Sequence, residues 1–225
     1  MPDPMGTLPH PFAGLHVLAD DDPRWSIGPV TQAAAACEGG AAVVQLRAKF
    51  STDGQVLDWA REIRALTRNA GVRFVMNDRF DLALAAEADG VHLGRGDIPL
   101  ERIPAQSRAK LAVGLSSHDL GQAAEAVGQN VDYVAFGPVF GTASKDSPYT
   151  ARGLHLLEAA VKAVAPTPLI AIGGITCANI AAVADTGAAG AAVISAVAGE
   201  TDPVRSTRQL AKESSRMIKF KGSRR

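Results

Sequence analysis

LHVLADDDPRWS, residues 15–26, decides which of two α/β folds this chain adopts. LHVLA (15–19) is a short, nearly continuous apolar run, as a parallel strand covered on both faces requires. The turn after it matters more. An open, doubly wound sheet that binds a dinucleotide starts its first helix with a glycine-rich turn, because bare backbone lets the pyrophosphate approach. Residues 19–26, ADDDPRWS, are acidic and hold no glycine. The doubly wound reading loses its best local sign, and a closed barrel gains.

The rest of the chain repeats the same unit. Seven more apolar runs recur along it: AAVVQL (41–46), RFVMN (73–77), GVHLG (90–94), KLAVGL (110–115), YVAFG (133–137), LIAIG (169–173) and AAVIS (191–195). Amphipathic or alanine-rich stretches separate them, predicting helices near 28–38, 53–69, 79–87, 99–107, 119–128, 150–163, 177–186 and 202–219. Strict alternation of strand and helix implies a parallel sheet covered by helices. Eight such units in 225 residues predict a single (β/α)8 TIM barrel, one domain over 1–225 with frayed ends at about 1–12 and 219–225.

Composition narrows the partners. Hydrophobic residues make up 47% of the chain, and Lys+Arg equals Asp+Glu at 23 each. Such a balance gives no global field toward nucleic acid or an acidic membrane. The most apolar region, 169–199, is broken by Asn179, Asp185 and several glycines, so it does not read as a membrane span. The N-terminus has no basic, apolar export pattern. Cys37 and Cys177 lack metal spacing and read as buried thiols of a reducing compartment, which makes the expected location cytoplasmic. The expected partners are small molecules, and a homo-oligomer stays open.

In a barrel the C-terminal strand ends converge on the active site. The second strand ends in Gln45-Leu46-Arg47-Ala48-Lys49. Period-2 geometry sends Gln45, Arg47 and Lys49 to one face, and two cations with an amide suit a polyanion; a solvated edge is the plainer alternative. The third strand ends in Asn77-Asp78, and the fourth leads to Gly94-Arg95-Gly96-Asp97. Asp78 and Asp97 are one βα unit apart, so neighbouring loops can bring them together. Paired carboxylates beside cations suggest Mg²⁺ completed by phosphate oxygens and water. Asp78 as a helix cap and Asp97 as a turn residue remain open, as does acid–base work by the pair.

Ser116, after the fifth strand, reads as a phosphate donor or as part of a helix N-cap. The sixth strand runs into a long loop with Thr142, Ser144 and Lys145, expected to be a mobile lid carrying anion donors, against an ordinary loop with a solvated lysine. Gly173-Gly174 after the seventh strand and Ile194-Ser195 after the eighth fall where such barrels often bind phosphate. His92, inside the fourth strand, reads as a core or near-site histidine. No nucleophile–base pair is evident, so the expected site works by positioning and by stabilising a departing anion.

QLRAK, MNDRFDLALA, ADGVHLGRGD, GLSSH, FGPVFGTASK, AIGGIT and AVISAV, in order over about residues 43–197, resemble the thiamine phosphate synthase family of (β/α)8 barrels. The resemblance implies transfer of 4-amino-2-methyl-5-(hydroxymethyl)pyrimidine from its diphosphate to 4-methyl-5-(hydroxyethyl)thiazole phosphate, with loss of pyrophosphate. The family mechanism is dissociative. By motif, Arg47, Lys49, Asn77, Ser116 and Lys145 would hold the diphosphate and Gln45 the pyrimidine. Asp78 and Asp97 would hold Mg²⁺. Thr142, Ser144, Gly174, Ile194 and Ser195 would bind thiazole phosphate. Departures are Arg95-Gly96, where the family shows Gln and an acidic residue, Ser144 in place of Thr, and the poorly matching first strand.

A thiazole tautomerase shares the barrel but needs neither the paired aspartates nor the QLR-x-K cations. It tends to carry a histidine in the loop after the sixth strand, where this chain has Pro138. A non-catalytic thiazole phosphate sensor is the remaining alternative.

Overall fold

Strand β1 (Gly14–Asp20) pairs in parallel with β2 (Val43–Arg47) on one side and with β8 (Gly190–Val193) on the other. That second pairing, Gly14 opposite Gly190, closes the sheet. The remaining strands are β3 (Arg73–Asn77), β4 (Gly90–Leu93), β5 (Ala112–Ser117), β6 (Tyr133–Phe136) and β7 (Leu169–Ile172), and they run in chain order round an eight-stranded barrel. The computed structural model describes residues 10–141 and 149–217. Among the described residues no helix is long and apolar enough to cross a membrane.

Helices α1 (Pro29–Gly39), α2 (Asp53–Ala70), α3 (Phe80–Ala85), α4 (Ala105–Arg108), α5 (Leu120–Gly128), α6 (Gly153–Val164), α7 (Ile180–Asp185), α8 (Ser195–Ala198) and α9 (Pro203–Ser214) wrap the outside. Local chemistry sets their ends. Pro29 and Pro203 open α1 and α9, where the missing N–H costs nothing. Asp119 caps α5 by accepting from Gln122 N at 2.8 Å. Gly40 and Gly71 take the left-handed conformation that stops α1 and α2. The helix expected near 99–107 is instead a 3-10 turn (Leu100–Arg102) and the four-residue α4. Pro104 interrupts it, since a proline within a helix lacks the N–H and clashes with the preceding turn.

The main core lies between sheet and helices; Leu46, Ile63, Phe74, Phe136, Leu157 and Ile180 are essentially inaccessible there. A smaller cluster fills the barrel itself, with Phe12, Val43, Val75, Tyr133 and Ile170. Tyr133 plugs the barrel between floor and mouth. Phe12 stacks on it from the floor at 5.5 Å and His92 at 5.5 Å, and His16 meets it edge-on at 5.6 Å. Gly114 makes room for that plug: a Cβ there would sit 2.1 Å from the Tyr133 ring. Phe12 is buried, so the packed chain reaches into the N-terminal segment expected to fray.

Candidate active site

The strand ends enclose a cavity of about 360 Å³ above the Tyr133 plug. Gln45, Arg47, Lys49, Asn77, Asp78, Asp97, Ser116, Gly174, Ile194 and Ser195 all line it. The alternation read along β2 holds: Gln45 and Arg47 face the cavity with Lys49 beyond them, and Leu46 is buried on the other side. Thr142, Ser144 and Lys145 lie outside the described residues.

Asp78 is not a helix cap. It sits at φ 66, in the left-handed region that Asp tolerates better than most side chains. Arg79 occupies the cap position of α3, with no side-chain cap bond. The turn is held by Asp78 N donating to His92 O at 2.7 Å and by Arg79 N donating to Asn77 O at 2.8 Å. It delivers the Asp78 carboxylate to Lys49 and to Asp97. Asp97 does serve its turn, accepting from Gly94 N at 2.6 Å, and it faces Asp78 at the same time.

The two carboxylates titrate in opposite directions. Burial first, then the hydrogen bond and charge of Asp78, push Asp97 above the ordinary carboxylate value. Burial also opposes ionisation of Asp78, but hydrogen bonds from Asp97 and Lys49 and the Lys49 charge outweigh it and hold Asp78 low. A cation between the two carboxylates would offset both their mutual repulsion and the cost of burying them. Two hard oxygen donors at the rim of an open cavity, with no third acidic or histidine ligand clustered beside them among the described residues, fit Mg²⁺, which keeps waters and substrate oxygens in its shell. Arg95 adds little charge to this corner, because it pairs with Glu125 at 2.9 Å.

Ser116 is not a cap either; Asp119 fills that role. Its Oγ lies 2.9 Å from His92 Nε2, while His92 Nδ1 lies 3.1 Å from the Tyr133 hydroxyl. This is a Ser–His contact that the sequence does not reveal, since its parts sit on β4, β5 and β6. Burial pushes the Tyr133 phenol well above its usual range, so it is a neutral hydroxyl beside Nδ1. The His92 ring thus bridges the Tyr133 and Ser116 hydroxyls and fixes where Ser116 sits at the cavity wall.

Gly173 and Gly174 take φ 93 and 65, and added Cβ atoms would meet Pro138 Cβ at 2.5 Å and Gly141 O at 2.3 Å. The glycines thus bring the loops after β6 and β7 into backbone contact beside the cavity. On the rim the His118 ring stacks on Tyr149, with centroids 3.8 Å apart, and the Arg152 guanidinium lies 5.4 Å from the centre of the same tyrosine ring.

One group escapes the sequence reading altogether. Asp20, at the end of β1, is buried, and its Oδ2 accepts from Arg47 Nη1 at 2.5 Å. The acidic run 20–22 argues against a dinucleotide loop, but nothing in it singles out one aspartate as the partner of a β2 cation.

Fold and cavity define an α/β barrel whose mouth gathers cationic side chains and a facing pair of carboxylates. The family model described as thiamine monophosphate synthase matches residues 15–197. A thiamine-phosphate synthase of Chloroflexus aurantiacus is 44% identical over 176 residues, covering 78% of this chain and 81% of that protein. One of Anaeromyxobacter dehalogenans is 44% identical over 192 residues, covering 85% and 83%. Among solved structures, the thiamine phosphate pyrophosphorylase of Pyrococcus furiosus superposes with TM-score 0.82 at 35% identity, covering 91% of this chain and 96% of that one. The chain belongs to the thiamine monophosphate synthase family, and it is a transferase of thiamine biosynthesis.

Proposed function

We propose that this chain joins 4-amino-2-methyl-5-(hydroxymethyl)pyrimidine diphosphate to 4-methyl-5-(hydroxyethyl)thiazole phosphate, giving thiamine phosphate and pyrophosphate. The observation that carries the reading is the facing pair Asp78–Asp97 next to Lys49, with Arg47 in the same cavity. Such a constellation suits a leaving diphosphate and its metal, and it has no use in a tautomerase or sensor of thiazole phosphate alone.

The bond from the pyrimidine methylene carbon to oxygen breaks first, and its electron pair leaves with the diphosphate. The thiazole nitrogen then donates its lone pair to the methylene carbon. Arg47, Lys49, Asn77 and the Ser116 hydroxyl line the cavity and would take up charge on the departing group; Lys145 joins them by its motif. Gln45 would face the pyrimidine. Thr142, Ser144, Gly174, Ile194 and Ser195 would hold the thiazole phosphate, fixing its nitrogen for attack. Mg²⁺ held by Asp78 and Asp97 would supply further positive charge to the diphosphate.

The test is pyrophosphate release from the purified protein. Release that needs both substrates and stops with EDTA is the expected result. A folded protein that binds thiazole phosphate but releases no pyrophosphate from the pair would overturn the reading.

A further inference from the structure

Arg47 reaches the cavity from a buried strand, and the direction of its guanidinium is set by Asp20. Among the described residues the Asp20 carboxylate is the hydrogen-bond partner of the Arg47 side chain. Asp20 is itself locked from several directions. Its Oδ1 accepts from Trp25 Nε1 at 2.8 Å and from Asp22 N at 3.0 Å. The buried Gln32 side chain brackets its backbone, accepting from Asp20 N and donating to Asp20 O, both at 2.9 Å, while also donating to Ile27 O at 2.7 Å. The carboxylate side chain has no solvent exposure, so it touches no ligand directly.

A buried ion pair is a weak source of stability, because desolvating both charges offsets their attraction. It is a good way to fix a fork of donors: with one Nη1 proton bound to Asp20, the remaining guanidinium donors are presented in one orientation. We propose that Asp20 is a positioning residue, which aims Arg47 at the diphosphate and is itself held by the Trp25 indole. The inference rests on the diphosphate role proposed for Arg47. It also gives the glycine-free first loop a purpose, since that loop supplies the acceptor, the indole and the turn amide that hold the guanidinium.

Equilibrium binding of pyrophosphate with Mg²⁺, and of thiazole phosphate as control, tests it in the full chain. Wild-type protein that binds no pyrophosphate would sink the diphosphate reading itself. Given wild-type binding, Asp20→Asn should weaken pyrophosphate by about tenfold or more and leave thiazole phosphate unchanged. Added to Arg47→Ala, it should cost nothing further, because the residue it acts through is gone. Equal pyrophosphate binding by Asp20→Asn and wild type, additive losses in the double variant, or equal loss of both ligands would overturn the proposal. Should Asp20→Asn fail to fold, Trp25→Phe keeps an aromatic ring and removes the indole N–H. It is expected to weaken pyrophosphate alone, by a few fold, and no change would count against the proposal.

Discussion

Both ends of this barrel carry aspartates beside cations, yet the two ends are wired in opposite senses. At the floor, Asp89 is saturated: Arg64 reaches it at 2.9 and 3.4 Å, Arg73 at 3.3 Å, and Phe74 N donates to it at 2.8 Å. Asp132 likewise accepts from Val113 N at 2.7 Å. These acids tie strand starts to their neighbours. At the mouth, Asp78 and Asp97 face each other with Lys49 beside them, and the Asp78 backbone takes a left-handed turn to get there. Like charges brought together oppose folding, and a cation relieves them. The same residue types therefore tie strands together at one end and, on the proposed function, would hold a metal at the other.

Substituting one residue at each end separates the two roles. Asp78→Asn is expected to have the largest effect: kcat/KM at fixed Mg²⁺ should fall on the order of a hundredfold, with thermal stability little changed, because Asn also tolerates the left-handed backbone. An unchanged Mg²⁺ requirement would return Asp78 to a structural role. Asp89→Ala should do the reverse. It strands two guanidinium groups and a backbone amide, which should cost about 2–3 kcal/mol in a denaturant titration, with KM for both substrates unchanged. A loss of activity larger than the loss of folded protein would break the contrast.

The smallest effect is on pH. Asp97 is held above the ordinary 3.8. A raised carboxylate pKa means that the folded state favours the protonated form, so without metal Asp97 opposes stability as pH rises through its folded value. The metal needs the ionised form. Mg²⁺ affinity should therefore climb as pH rises through that value and level off above it, and Asp97→Asn should flatten the climb. Asp78, held low, keeps its charge through the same range and loses its stabilising partners only at lower pH.

The barrel was legible because the strands are mostly buried on both faces and so read as apolar runs. The mouth was legible where one element carries the signal, as in the alternation of Gln45 and Arg47 along β2. The facing of Asp78 and Asp97 was legible too, from two loops one βα unit apart at the same barrel end, but contacts set by the register between strands were not. Asp20 meets Arg47 across β1 and β2, and His92 on β4 meets Ser116 on β5 and Tyr133 on β6. Cap positions misled locally as well: Asp78 and Ser116 sit near helix starts, but Arg79 and Asp119 take the cap positions. Hydrophobic period reports burial, whereas such contacts depend on register between strands.

The most direct test of the central claim, that Asp78 and Asp97 hold Mg²⁺ for a diphosphate, is equilibrium binding of labelled pyrophosphate to wild-type protein and to Asp78→Asn, each with Mg²⁺ and with excess EDTA. The account predicts that Mg²⁺ strengthens binding to the wild type and not to the variant. An equal strengthening in both would contradict it.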